Sequence, residues 1–141
     1  MHITAKFQTP WGEIEIPNIL EISWGASRQP HVNHEMGQVN HQLEPVTIVR
    51  TKSLMKDGKN QNETDIIKLA AATGDKGYFK ATIRIAPPTD PNNPIQTIQW
   101  DRGHIIGLYP QITDRQIVER ILIATTNLKV DDSKFELSKT T

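Results

Sequence analysis

The 141-residue sequence contains no cysteine. Disulfide bonds, thiolate zinc sites and cysteine nucleophiles are therefore excluded. An excess of charge of one sign is missing too, because 16 lysines and arginines balance 16 aspartates and glutamates. Non-specific binding to nucleic acid or to a membrane surface normally needs a basic excess, so we expect neither. A chain without net charge also lacks the self-repulsion that keeps copies apart, which permits self-association.

Long apolar runs are absent as well. The longest are only a few residues, far short of the roughly 20 that span a membrane as a helix. The first residues, Met1–Phe7, do not combine a basic segment with an apolar one, so we expect no signal peptide. The length fits a single domain. We place that domain at residues 1–130 and a loosely held C-terminal tail at residues 131–141.

What the sequence does contain is a series of alternating segments. Apolar residues recur at every second position in much of the chain, which is typical of half-buried β-strands. Val46, Ile48 and Arg50 share one such alternation, and residues 79–85 form another. One helix is predicted to begin near Asn62 or Thr64 and to end at Gly74. Short strands with turns between them and a single helix indicate a compact β-barrel or sandwich.

The last predicted strand, Gln116 to Val130, has apolar residues on both faces. One face carries Val118, Leu122 and Ala124, and the other carries Ile117, Ile121 and Ile123. A strand of a small domain usually has one face in water, so the outer face of this one should be covered. Either the helix or another subunit could cover it.

The order of these elements resembles Hcp, the tube protein of type VI secretion systems, which shares its fold with bacteriophage tail-tube proteins. The resemblance spans residues 3 to 130, and its most recognisable part is the run ending Ser23-Trp24-Gly25. The segments that carry it are, in chain order, Glu13–Ile16, Ile22–Ser27, Val46–Lys52, the helix ending Leu69–Gly74, Lys80–Ile85 and Ile117–Ile121. Where Hcp proteins often have a glycine-rich loop, this chain has Arg28–Glu44, rich in His, Asn and Gln.

The resemblance implies a mainly β fold: an antiparallel β-barrel of two packed sheets with one flanking α-helix and an extended loop. It also implies a non-enzymatic structural subunit without a cofactor, whose six-membered rings stack into the hollow tube of a contractile injection apparatus. Its partners would be other copies of itself, a sheath, and baseplate or spike proteins. DNA or protein cargo would pass through the lumen without specific binding. The protein would be found in a phage virion, or in the bacterial cytoplasm and secreted as part of the tube.

The loop Ala26–Glu44 is the segment predicted to reach a neighbouring subunit. Its polar composition suits a wet, hydrogen-bonded interface, and long loops of small domains usually have such a use or are disordered. Trp24 is predicted to anchor this loop to the barrel. The candidate interface residues are Trp24, Gly25, Ser27, Arg28, His31, His34, Met36, Gln38, His41, Ile117, Ile121 and Ile123.

Two other functions are compatible with the same segment. Residues 26–44 could bind a ligand or partner protein as the recognition loop of a small β-barrel module. His31, His34 and His41 fall within eleven residues of one another, and neutral imidazoles can bind zinc. Their spacing is not that of the metalloprotease helix, however. No serine lies in a Gly-x-Ser-x-Gly setting, so the sequence offers no hydrolase nucleophile.

Overall fold

A computed structural model describes residues 1–28, 41–53 and 61–136 of the chain. In this part of the chain there are nine β-strands, one α-helix and a short 3₁₀ helix at Gly74–Gly77. The strands are β1 (His2–Thr9), β2 (Gly12–Ile16), β3 (Ile19–Arg28), β4 (His41–Ser53), β5 (Phe79–Ala86), β6 (Gln96–Ile112), β7 (Gln116–Thr125), β8 (Asn127–Val130) and β9 (Ser133–Glu136); the helix is α1 (Gln61–Ala71).

The strands form one continuous antiparallel sheet in the order β2-β1-β5-β6-β7-β4-β3. The 17-residue strand β6 joins its two halves. The first part of β6 pairs with β5 on one side and with β8 on the other, and residues 103–112 pair with β7. The predicted antiparallel, mainly β fold with one flanking helix is therefore confirmed. Its two layers are joined through β6.

A single apolar core lies between these halves. Alternate residues of β1, β2, β4, β5 and β7 point into it, as the period-two pattern predicted. Phe7, Phe79 and Trp100 form its aromatic centre, with ring centroids 4.7–6.1 Å apart. Fully burying a large apolar side chain contributes about 1.5–3 kcal/mol, so these interlocking faces stabilise the fold and fix the strand registers.

Helix α1 closes one side of the core and packs against β2 and β6. Ile66 and Leu69 are buried in the same cluster as Ile121 and Ile123, whereas Ile67 remains 54% exposed. The helix therefore lies on the core side of β7 and does not cover Val118, Leu122 and Ala124 on the other side. Among the helices of the described residues, none has the length and apolar character needed to cross a membrane.

The structure differs from the sequence-based expectations at three places. The single strand predicted for residues 116–130 is interrupted at Thr126, and this lets β8 turn toward the first part of β6. Part of the predicted tail is strand β9, which pairs with β8 along its length. Residues 26–28 and 41–44, predicted as loop, extend β3 and β4 as a paired ladder that ends at Arg28 and His41.

Candidate assembly surface

Four neighbouring strands make up the surface of greatest interest. We call residues 104–112 of β6 together with β7, β4 and β3 the four-strand wall. The register aligns residues across it in rows: Tyr109 pairs with Arg120, Arg120 with Val49, and Val49 with Glu21. The adjacent row runs from Leu108 through Ile121 and Ile48 to Ile22. The first row faces outward and the second faces the core.

Both ends of this wall are edges without a strand partner among the described residues. Strand β3 pairs with β4 on one side only, and residues 104–112 of β6 pair with β7 on one side only. An unpaired edge presents a row of free N–H and C=O groups that can pair with another strand. Three antiparallel steps separate β6 from β3, so the two edges run in opposite directions.

The outer face of the wall differs in character from the rest of the surface. Thr47, Val49, Val118, Leu122 and Ala124 are half-buried there and form a small, aliphatic surface, which is interrupted by the exposed Arg120. The outer face of β1, β2 and β5 is instead charged and exposed, with Lys6, Glu13, Glu15, Lys80 and Arg84. The charged face is suited to solvent. The outer face of β7 is the one that the sequence predicted to be covered, either by the helix or by another subunit.

A buried ion cluster joins the two central strands of the wall. Glu119 on β7 accepts a hydrogen bond from Arg50 Nε on β4 at 3.0 Å, and its other carboxylate oxygen lies 2.8 Å from Lys52 Nζ. The side chains of Arg50 and Glu119 are 0% and 2% exposed. Removing such charges from water is costly unless they pair well. The cluster therefore favours one register of β4 against β7, because a shift of one residue would leave these charges unpaired.

The turn between β6 and β7 is closed by the backbone and the side chain of Thr113. Thr113 Oγ1 accepts hydrogen bonds from the N–H groups of Arg115 and Gln116, at 3.3 and 3.2 Å, and donates one to the carbonyl of Gln116 at 3.0 Å. A threonine hydroxyl often closes turns in this manner. The end of the hairpin is thereby held in one conformation, and Ile112 beside it is 68% exposed.

Trp24 lies at the base of the β3–β4 ladder. Its ring packs against Phe135 of β9 at 5.8 Å between centroids, and its Nε1 donates a hydrogen bond to Gln96 Oε1 at 3.4 Å. His41 contacts the same Phe135 ring edge-on and accepts a hydrogen bond from the Glu136 N–H at 3.3 Å. These contacts attach the ladder to the last strand of the sheet.

The predicted interface residues are located in different environments. Gly25 and Ser27 lie in the ladder beside Trp24, as does the backbone of Arg28. Ile121 and Ile123 are fully buried in the core and so have no surface to offer a neighbour, whereas Ile117 is half-buried. His31, His34, Met36 and Gln38 lie outside the described residues.

Sequence reasoning missed the edge residues of β6, among them Ile106 and Ile112. A short apolar stretch at 104–108 indicated a strand, but which of its sides lacks a partner depends on the strand order. Two of the three histidines considered as zinc ligands, His31 and His34, lie outside the described residues. Within residues 1–28, 41–53 and 61–136, no group of three or more His, Asp or Glu side chains is close enough to hold a metal ion.

Comparison with known proteins shows that other solved structures have the same fold. No protein-family model and no curated protein sequence matches the chain. Several solved structures match it. Hcp1 from Salmonella typhimurium superposes with a TM-score of 0.60 at 10% identity, covering 96% of this chain and 92% of that protein. A mutant of Hcp1 from E. coli gives 0.65 at 9% identity, over 98% and 100% of the two chains. A chain of the anti-feeding prophage baseplate gives 0.52 at 11% identity, over 92% and 91%. The chain thus has the fold of Hcp and tail-tube proteins, as its element order predicted.

Proposed function

We propose that this chain, which has the Hcp and tail-tube fold, is a structural subunit whose copies form closed rings that stack into a hollow tube. The observation that carries the proposal is the pair of unpaired edges at opposite ends of the four-strand wall. Each copy presents one edge on β3 and a different one on β6, so the contact between copies would be head-to-tail. Head-to-tail contacts generate rings when the rotation between copies closes.

Strand direction supports pairing of these two edges. Since β3 and β6 are antiparallel within one copy, a rotation about an axis near the strand direction brings β3 of one copy beside β6 of the next in antiparallel orientation. Antiparallel pairing would then continue without a break around the ring, and no edge would remain open. The wall of each copy would become one segment of a larger barrel.

The size of such a barrel follows from strand geometry. Six copies, the number implied by the resemblance to Hcp, would contribute four strands each. With strands about 4.8 Å apart and tilted by about 40°, a barrel of roughly 24 strands has a backbone diameter of about 45–50 Å. The opening would be wide enough for DNA or for a small folded protein.

The two outer surfaces of the subunit would then have separate roles. The outer face of β4 and β7, aliphatic apart from Arg120, would line the lumen, and the charged face of β1, β2 and β5 would lie on the outside of the tube, toward a sheath. We propose no catalytic step and no cofactor. The tube would work mechanically in a contractile injection apparatus, either as part of a virion or as a secreted tube, together with baseplate or spike proteins.

Light scattering coupled to size-exclusion chromatography tests this proposal. We expect purified protein at high concentration to elute with the mass of about six chains, or of larger multiples where rings stack. The mass should be a discrete multiple because a closed ring has no free edge to extend. A strictly monomeric protein across the accessible concentration range would contradict the proposed function.

A further inference from the structure

An apolar cavity of about 470 Å³ opens beside the free edge of β3. It lies at the seam where β3 passes the start of β1 and the end of β5 without pairing to them, and we call it the seam cavity. Leu20 and Ile95, two of its lining residues, are 61% and 58% exposed. Leu20 is turned out of the strand alternation by a bulge between Ile19 and Glu21. The lining residues are Met1, Ile3, Leu20, Glu21, Ile22, Ile85, Ile95 and Gln96.

A second apolar group projects from the opposite edge of the four-strand wall. We call Leu108 and Ile112 on β6 the hairpin knob. Ile112 is 68% exposed and Leu108 is half-buried, and Ile106, at a bulge on the same edge, is 50% exposed. Leu108 pairs with Ile121 and Ile112 with Ile117, so both lie on the core-facing side of the sheet. Ile112 lies beyond the end of the apolar core, which is why its side chain is exposed.

Most of the exposed large apolar side chains lie at these two edges. Of the eight that are exposed in the described residues, three line the seam cavity and two, Ile106 and Ile112, lie on the free edge of β6. Soluble monomers rarely leave apolar side chains grouped in this way, and grouped exposure marks interaction sites. The grouping at two opposite edges indicates two complementary sites on one molecule.

We propose that the seam cavity of one copy receives the hairpin knob of the next copy. This inference rests on the proposed function and names the side chains that make the contact. The core-facing row of the wall ends in Leu108 at one edge and in Ile22 at the other. When β3 pairs with the neighbour's β6, the core-facing side of the wall continues from one copy to the next, and both Ile22 and Leu108 lie at the new contact.

Charge agrees with this choice of occupant. Glu21 is the one charged side chain that lines the seam cavity, and the hairpin carries two exposed arginines, Arg115 and Arg120, against one exposed acidic residue, Asp114. In the wall's outward row, Tyr109 and Glu21 occupy the two edges and Arg120 follows Tyr109. Edge pairing would place the neighbour's Glu21 and this Arg120 on the same outward side of the joint, so unlike charges lie at the rim of an apolar contact.

Two single substitutions and their mixture test the proposal. Leu20→Glu places a charge in the seam cavity and leaves the knob intact, whereas Ile112→Glu places a charge on the knob and leaves the cavity intact. Each variant alone should be a monomer by light scattering. Mixed in equal amounts, they should form a dimer and nothing larger, because each mixed pair has one intact cavity facing one intact knob and no further intact sites. The control is Ile67→Glu on α1, which is as exposed as these residues and should assemble as the unmodified protein does.

The circular dichroism spectrum of each variant should match that of the unmodified protein, since all three positions are exposed. Rings of the original size formed by either single variant would contradict the inference and leave the proposed function standing. A mixture that stays monomeric would show that the two sites do not bind each other, and would also contradict the inference. If the unmodified protein forms no rings at all, it is the proposed function that fails.

Discussion

Replacing Glu119 with glutamine should lower the free energy of unfolding by about 3–5 kcal/mol, because removing one member of a buried ion pair leaves the others uncompensated. In this protein two cations, Arg50 and Lys52, lie on the same carboxylate. Nη1 and Nη2 of Arg50 have no hydrogen-bond partner within the described part of the chain, so little else offsets its charge. Urea or thermal unfolding of the purified variant measures the loss.

The neighbouring residue provides the control for this substitution. Arg120→Gln changes the charge by one on the same strand, but Arg120 is exposed, and such surface changes usually stay within about 0.5 kcal/mol. The triple variant Arg50→Met/Lys52→Met/Glu119→Leu should recover much of the lost stability, since apolar residues of similar size often replace a buried ion cluster without cost. A Glu119→Gln variant as stable as Arg120→Gln would show that the cluster does not stabilise the wall.

Replacing Trp100 with alanine should cost a similar amount, about 3–5 kcal/mol, which is typical of large-to-small changes of a core aromatic residue. The side chain is 2% exposed, and its ring lies 6.1 Å from Phe7 and 5.9 Å from Phe79 between centroids. Its indole also lies against the backbone of Gly103, where a Cβ atom would come within 2.6 Å of Nε1. A loss of this size is a large part of the about 5–15 kcal/mol that stabilises a typical domain.

The other two tryptophans make a graded comparison with Trp100. Trp11 is 44% exposed in the turn between β1 and β2, and its replacement by alanine should stay within about 1 kcal/mol even with loss of the Lys68 cation–π contact. Trp24→Ala should fall between the two, because that ring is half-buried against Phe135. Chemical unfolding of the three variants gives the order directly. A Trp24 variant less stable than the Trp100 variant would contradict the position of the core.

Local patterns in the sequence were enough to locate most strands. The alternation of residues 79–85 predicted β5, and the alternation of Val46, Ile48 and Arg50 predicted that all three share one face, which is the core-facing side of β4. What that pattern could not give was the partner of Arg50. Glu119 is 69 residues further along the chain, and only the register of β4 against β7 brings the two together.

The candidate site was harder to predict for the same reason. Whether a strand lies at an edge depends on the strand order, and an edge strand and a central strand can have the same alternation of apolar residues. The bulge that turns Leu20 outward interrupts the alternation of β3. The break at Thr126, which separates β7 from β8, has no marker in the apolar pattern. Long-range pairing decides each of these features.

The most direct test of the central claim is electron cryo-microscopy of the assembled protein. We expect rings, single or stacked, in which β3 of each copy lies beside residues 104–112 of β6 of the next as an antiparallel pair. The outer face of β4 and β7 should line the lumen. Particles in which both edges remain open to solvent, or in which the charged face of β1, β2 and β5 lines the lumen, would contradict the account.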